Sequence, residues 1–118
     1  MSRWGHSCAR LGNKLVVAGG VSPSFTLLST TTVLDLATRE QREVGELVGG
    51  DRAWFGMANV DGRILAFGGM GPFVRNAWGD VEEWDDEGEK WVNTDNTMET
   101  AMSSFAHVVV NLDDICMI

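Results

Sequence analysis

Short apolar runs that end on turn-forming residues set the pattern of this chain. His6 to Leu11 is one run, Gly12-Asn13 is a turn, and Leu15 to Ala18 is a second run closed by Gly19-Gly20. Further on, Phe55 to Val60 leads into Asp61-Gly62, a strong hairpin-turn signal, and Ile64 to Phe67 then ends on Gly68-Gly69. Val81 to Asp85 and Lys90 to Thr94 flank the turn Asp86-Glu87-Gly88-Glu89 and predict another hairpin. Thr31 to Asp35 and about Arg42 to Val44, joined through Leu36 to Glu40, are its weaker counterparts in the first half. No window carries apolar residues at helical spacing over a useful length, so the expectation is all strand.

The runs recur. The segment from Arg3 to Gly20 lies without a gap over the segment from Arg52 to Gly69, at an offset of 49 residues. Arg falls on Arg, Ala9 on Ala58, Leu11 on Val60, and diglycine on diglycine. Leu34-Asp35 then matches Trp84-Asp85 at an offset of 50. A third copy begins near Met102, where Phe105-Ala106 matches Phe55-Gly56, and it stops at Ile118 before its own glycines. Four short strands per repeat of this length are the pattern of a propeller blade.

In these residues the chain resembles the kelch repeat family. The resemblance rests on Arg3 and Arg52 opening each repeat, and on the glycine pairs Gly19-Gly20 and Gly68-Gly69. It rests also on Asp35 and Asp85, on Glu83-Trp84-Asp85, and on Trp91 six residues after Asp85. It implies an all-β fold of four-stranded antiparallel kelch-type β-propeller blades, about two and a half of them in an incomplete ring. The expected units are 1–50, 51–100, and 101–118 as the first strands of a truncated third repeat. Other kelch repeats would be needed to close such a ring. The resemblance further implies that Trp84 and Trp91 pack between blades. The first repeat departs from the pattern, with Leu34 at the aromatic position and Gln41 or a neighbour at the Trp position.

Function in such a scaffold belongs to the loops that join strands. The connections 21–30, 70–80, 46–52 and 95–102 are the candidates. Within 70–80, Phe73, Arg75, Asn76 and Trp78 combine residue types that dominate protein interfaces. The alternative is that Phe73 and Trp78 fold back onto the blade while Arg75 pairs with a local acid. Arg3 and Arg52 are open to two readings. They grip acidic peptides from a propeller channel, or they bond to loop carbonyls and the neighbouring blade. His6 and His107 do not align with each other and have no neighbouring ligand residues, so no metal or other cofactor is expected. The acidic run at Asp85 to Glu89 lacks the alternation of a calcium loop. No serine sits in a nucleophile-elbow sequence.

Charge narrows the partners. The net charge is −8, and from Asp80 onward 11 acids stand against Lys90 alone. Such a face repels phosphate backbones, which argues against nucleic acid, and it is compatible with a protein partner bearing a basic patch. Cys8 and Cys116 lie far apart in apolar runs, where a buried reduced thiol is expected. No leader, glycosylation acceptor or membrane-spanning run is present, so a cytoplasmic location is expected and a membrane partner is not. The expected function is a non-enzymatic protein-interaction module. It would be similar to the kelch parts of ubiquitin-ligase substrate adaptors or cytoskeletal scaffolds. Because the repeat begins almost at once, an adaptor's upstream dimerisation and cullin-binding domains are not expected. The alternative is part of a propeller enzyme of galactose-oxidase type with its catalytic residues elsewhere. The complete lack of Tyr removes the Tyr-ligand version for this segment.

Overall fold

Eight strands appear where the alternation predicts them. The computed structural model describes residues 3–71 and 80–97, with the side chains of 95–97 excepted. The strands are β1 (Ser7–Leu11), β2 (Lys14–Ala18), β3 (Thr31–Asp35), β4 (Gln41–Val44), β5 (Gly56–Val60), β6 (Arg63–Phe67), β7 (Asp80–Asp85) and β8 (Lys90–Thr97). They form two four-stranded antiparallel sheets, each an up-and-down meander in chain order, and no helix occurs among the described residues.

Local chemistry sets the register. The β5–β6 turn places Asp61 at φ 53° and Gly62 at φ 84°, the pair of positive values that a two-residue type I′ turn requires. Val60 therefore pairs with Arg63, and Ile64 and Ala66 point to one face together. Asp35 and Asp85 have one shared job. Asp35 Oδ1 accepts from the backbone N–H of Ala37 and Thr38 (2.8 and 3.1 Å), and Asp85 Oδ1 accepts from Glu87 and Gly88 (3.2 and 3.3 Å). Each carboxylate thus nucleates the turn into the last strand of its sheet. Gly20 and Gly69 also match. A Cβ on Gly20 would lie 2.8 Å from the carbonyl oxygen of Trp4, and one on Gly69 would lie 2.8 Å from that of Ala53. Both glycines have positive φ, so no other residue fits where the chain leaves β2 or β6 beside the segment preceding β1 or β5.

The sheets stack face to face around one core. Ala9, Val16, Ala18 and Val33 of the first sheet meet Met57, Ile64, Ala66, Trp84 and Trp91 of the second, with Leu47 and Phe55 from the intervening chain. The stacking has a direction. Leu15 and Val17, the counterparts of Ile64 and Ala66, lie in a separate cluster with Cys8 and Leu34 on the far side of the first sheet. Cys8 and Leu34 are themselves the counterparts of Met57 and Trp84. Opposite faces of the two copies thus form the contact, which makes it a heterologous interface and not a two-fold one.

Trp84 and Trp91 pack edge-to-face (centroids 5.3 Å apart) and are nearly fully buried between the sheets. Trp91 Nε1 donates across the interface to Thr31 Oγ1 at 2.8 Å. Asn59 Nδ2 donates to the Arg10 carbonyl at 2.8 Å, and Lys14–Asp86 and Arg42–Glu89 ion pairs close the margin. In the first repeat, which lacks both tryptophans, β4 contributes Arg42 to the pair with Glu89 and packs Val44 against the core.

One expectation is corrected. Cys8 is buried as expected but is disulfide-bonded, so it is not a reduced thiol. The sequence has one other cysteine, Cys116, which lies outside the described residues.

Candidate functional site

The two repeat-opening arginines adopt the same pose with different partners. Arg52 precedes β5 and is wholly enclosed. Its Nη2 donates to Glu82 Oε2 at 3.1 Å and its Nη1 to the Asp80 carbonyl at 3.4 Å. Glu82 also accepts from the backbone N–H of Val48 (2.6 Å) and Gly49 (3.3 Å), tying the 46–52 connection to β7. Burial pulls the Arg52 pKa down and the neighbouring Glu82 and Asp80 charges oppose that shift. The Arg52 guanidinium therefore has no surface to offer a partner and serves as an internal clamp. Its guanidinium carbon lies over the Phe55 ring, 5.9 Å from the centroid.

Arg3 takes the equivalent place before β1 but stays half-buried. Its Nη1 donates to the carbonyls of Gly19 (2.9 Å) and Thr30 (3.1 Å), and its Nη2 reaches Thr32 Oγ1 at 3.4 Å. Arg3 thus bonds two loop carbonyls and Arg52 one carbonyl and one carboxylate, and Arg3 is the more accessible of the two. Thr30, Thr32, Gln41, Arg42 and Glu43 line with Arg3 a cavity of about 370 Å³. Burial lowers the Arg3 pKa, against the opposing charge of Glu43. Next to it, the His6 pKa is lowered by burial and then by the Arg3 charge. Arg3 Nε and His6 Nδ1 are both buried without a hydrogen-bond partner among the described residues. Among the described residues no group of three or more His, Cys, Asp or Glu side chains is placed to hold a metal ion.

Three exposed aromatics went unnoticed in the sequence. Trp4 and Phe25 pack edge-to-face with centroids 5.5 Å apart, and Phe25, at φ 62°, is 81 % exposed. Trp54 is also exposed, and its indole lies over Gly5, where an added Cβ would come within 3.0 Å of Cε2. The backbone N–H of Trp54 donates to the Gly5 carbonyl at 2.7 Å, so the segments before β1 and β5 run side by side. The signal available was that Trp4 and Trp54 sit outside the strands and outside the alternation. Phe73, Arg75, Asn76 and Trp78, the other candidate contacts, lie outside the described residues.

A second cavity, of about 580 Å³, is lined by Arg63, Glu83, Asp85, Glu87 and Val92 at the acidic end of the second sheet. There the Arg63 charge and hydrogen bond hold Glu83 below the usual carboxylate range. No helix among the described residues is long and apolar enough to cross a membrane. No protein-family model and no curated protein matches the chain.

Proposed function

We propose that the chain is part of a kelch-type β-propeller that serves as a protein-interaction module. The observation that carries this reading is the one-way stacking of the two sheets. A contact that uses opposite faces of successive copies propagates from copy to copy, and closes into a ring when the rotation per copy allows. The matched glycine pairs, turn aspartates and enclosed arginine are the parts such a repeat needs, and none of them is chemistry. On this reading the strands are scaffold, and recognition falls to the connections at the rim, as the resemblance to substrate adaptors and cytoskeletal scaffolds implies. The exposed Trp4, Phe25 and Trp54 support it, since Trp at an accessible rim is a common anchor of protein contacts. The 70–80 connection, with Phe73, Arg75, Asn76 and Trp78, supplies a second set.

Affinity capture from cell extract, quantified by mass spectrometry, tests the proposal. The double variant Arg75→Ala/Trp78→Ala and the double variant Trp4→Ala/Trp54→Ala are each compared with the parent chain, with circular dichroism as a control on folding. At least one folded variant is expected to lose, by tenfold or more, a defined set of proteins that the parent captures. Identical capture by the parent and both variants would sink the rim-contact reading.

A further inference from the structure

We infer that the third copy, residues 105–118, docks on the far face of the first sheet and is held there by a Cys8–Cys116 disulfide, giving the spatial order third, first, second. This placement holds whether or not the rim connections bind a partner. Cys8, Leu15 and Val17 on that face are at most 9 % exposed, and Val17 is wholly enclosed. An apolar sheet face becomes enclosed only when another layer lies over it. Among the described residues, the apolar partner of this cluster is Leu34, which belongs to the same sheet. The covering layer therefore comes from chain outside the described residues, and the disulfide says which part. Cys8 is disulfide-bonded, and Cys116 is the other cysteine in the sequence. A disulfide holds its two Cα atoms within about 7 Å, which brings Cys116 against this face.

The repeat places the same two positions together a second time. Cys8 is the counterpart of Met57, and Cys116, by way of Leu65, is the counterpart of Val16. Val16 and Met57 lie together in the core between the two described sheets. The cysteine pair thus occupies positions that already meet where one copy stacks on the next. Val108 and Ile118 of the third copy stand at the positions of Ala9 and Ala18, which line that same contact in the first sheet. Val108, Cys116 and Ile118 are all apolar, as a buried face requires. A stack in sequence order would instead lay the opposite face of the third copy on the second sheet. There His107 stands at the position of Met57, which is 3 % exposed. Burying an imidazole without hydrogen-bond partners is costly, so that face is the poorer one to enclose. The two placements use opposite faces of the third copy and exclude each other.

The test uses the full 118-residue chain, refolded from an equal mixture of ¹⁴N- and ¹⁵N-labelled protein and digested with trypsin without reductant. Mass spectrometry is expected to find peptide 4–10 joined to peptide 91–118, with both peptides of each pair carrying the same label. Statistical mixing of labels, which means a bond between chains, or no joined pair at all, would overturn the placement. Equilibration in glutathione buffer then tests which face docks. In each pairing two protein thiols become one disulfide while one glutathione disulfide becomes two glutathione thiols. The parent is compared with Leu65→Cys/His107→Cys in a Cys8→Ser/Cys116→Ser background, which puts thiols at the corresponding positions of the sequence-order stack. The effective concentration of the parent pair is expected to be at least tenfold the higher; an engineered pair within tenfold of it, or above it, contradicts the inference. Leu34→Glu sets a charge on the covered face and is expected to lower the effective concentration of the parent pair at least tenfold. Val92→Glu, on the margin of the second sheet, is expected to leave it within twofold. Leu34→Ala, with an expected loss of at least threefold, serves if circular dichroism shows that the charged variant does not fold. A folded Leu34 variant that pairs its cysteines as readily as the parent would rule the docking out.

Discussion

At the scale of single residues, Arg52 and Glu82 form the most consequential pair. Both side chains are fully enclosed, and the carboxylate is the shared acceptor for one guanidinium and two backbone N–H groups. Removing the carboxylate strands a buried cation, which costs about 3–5 kcal/mol. Glu82→Ala is accordingly expected to lower unfolding free energy by about that amount in urea titration. Arg52→Met/Glu82→Met, which removes both charges and keeps volume, is expected to cost much less. Equal losses in the two variants would show that packing, and not charge pairing, holds the site. The recurrence of Arg at the head of each repeat was legible in the sequence. Which of the two would be enclosed was not, because that depends on Glu82 and Thr32, roughly 30 residues downstream and brought back only when β7 and β3 take their places.

At the scale of elements, strand positions and turns followed from alternation and turn chemistry, and small differences have local causes. β1 and β5 start one residue after the apolar runs do, at Ser7 and Gly56. His6 and Phe55 instead meet the glycine-bearing exits, with His6 close to where a Cβ on Gly20 would lie and Phe55 close to that of Gly69. Trp91 shows what joins one sheet to the other. Trp91→Ala is expected to cost about 3–5 kcal/mol through the cavity it leaves. Trp91→Phe is expected to cost roughly 1–2 kcal/mol, since it keeps most of the contact and loses the bond to Thr31. Guanidinium-chloride unfolding followed by near-ultraviolet circular dichroism reads both, and a Trp91→Ala loss under about 1 kcal/mol would contradict its place in the core.

At the scale of the whole molecule, directional stacking leaves two differently finished flanks. The far side of the second sheet carries half-buried Leu65, and its margin exposes Val60 and Val92, each 45 % accessible. Apolar sheet surface of this kind seeks a partner. The purified 118-residue chain is therefore expected to associate, or to unfold without a sharp transition, in light scattering across a concentration series combined with thermal melting. A cooperatively melting monomer at every concentration would refute this expectation.

What the sequence determined by itself was the periodic part. Strand alternation, turn residues and the 49-residue match are local or translational properties, and each is carried by residues near one another in the chain or by their copies. The tertiary structure alone decided the partners across that period. It enclosed Arg52 and left Arg3 accessible, brought Trp4 beside Phe25 and Trp54 beside Gly5, and placed Cys8 in a disulfide. The physical reason is that a repeat specifies which positions are equivalent. Burial and charge compensation depend on what stands opposite each copy, and opposite faces of successive copies meet different neighbours.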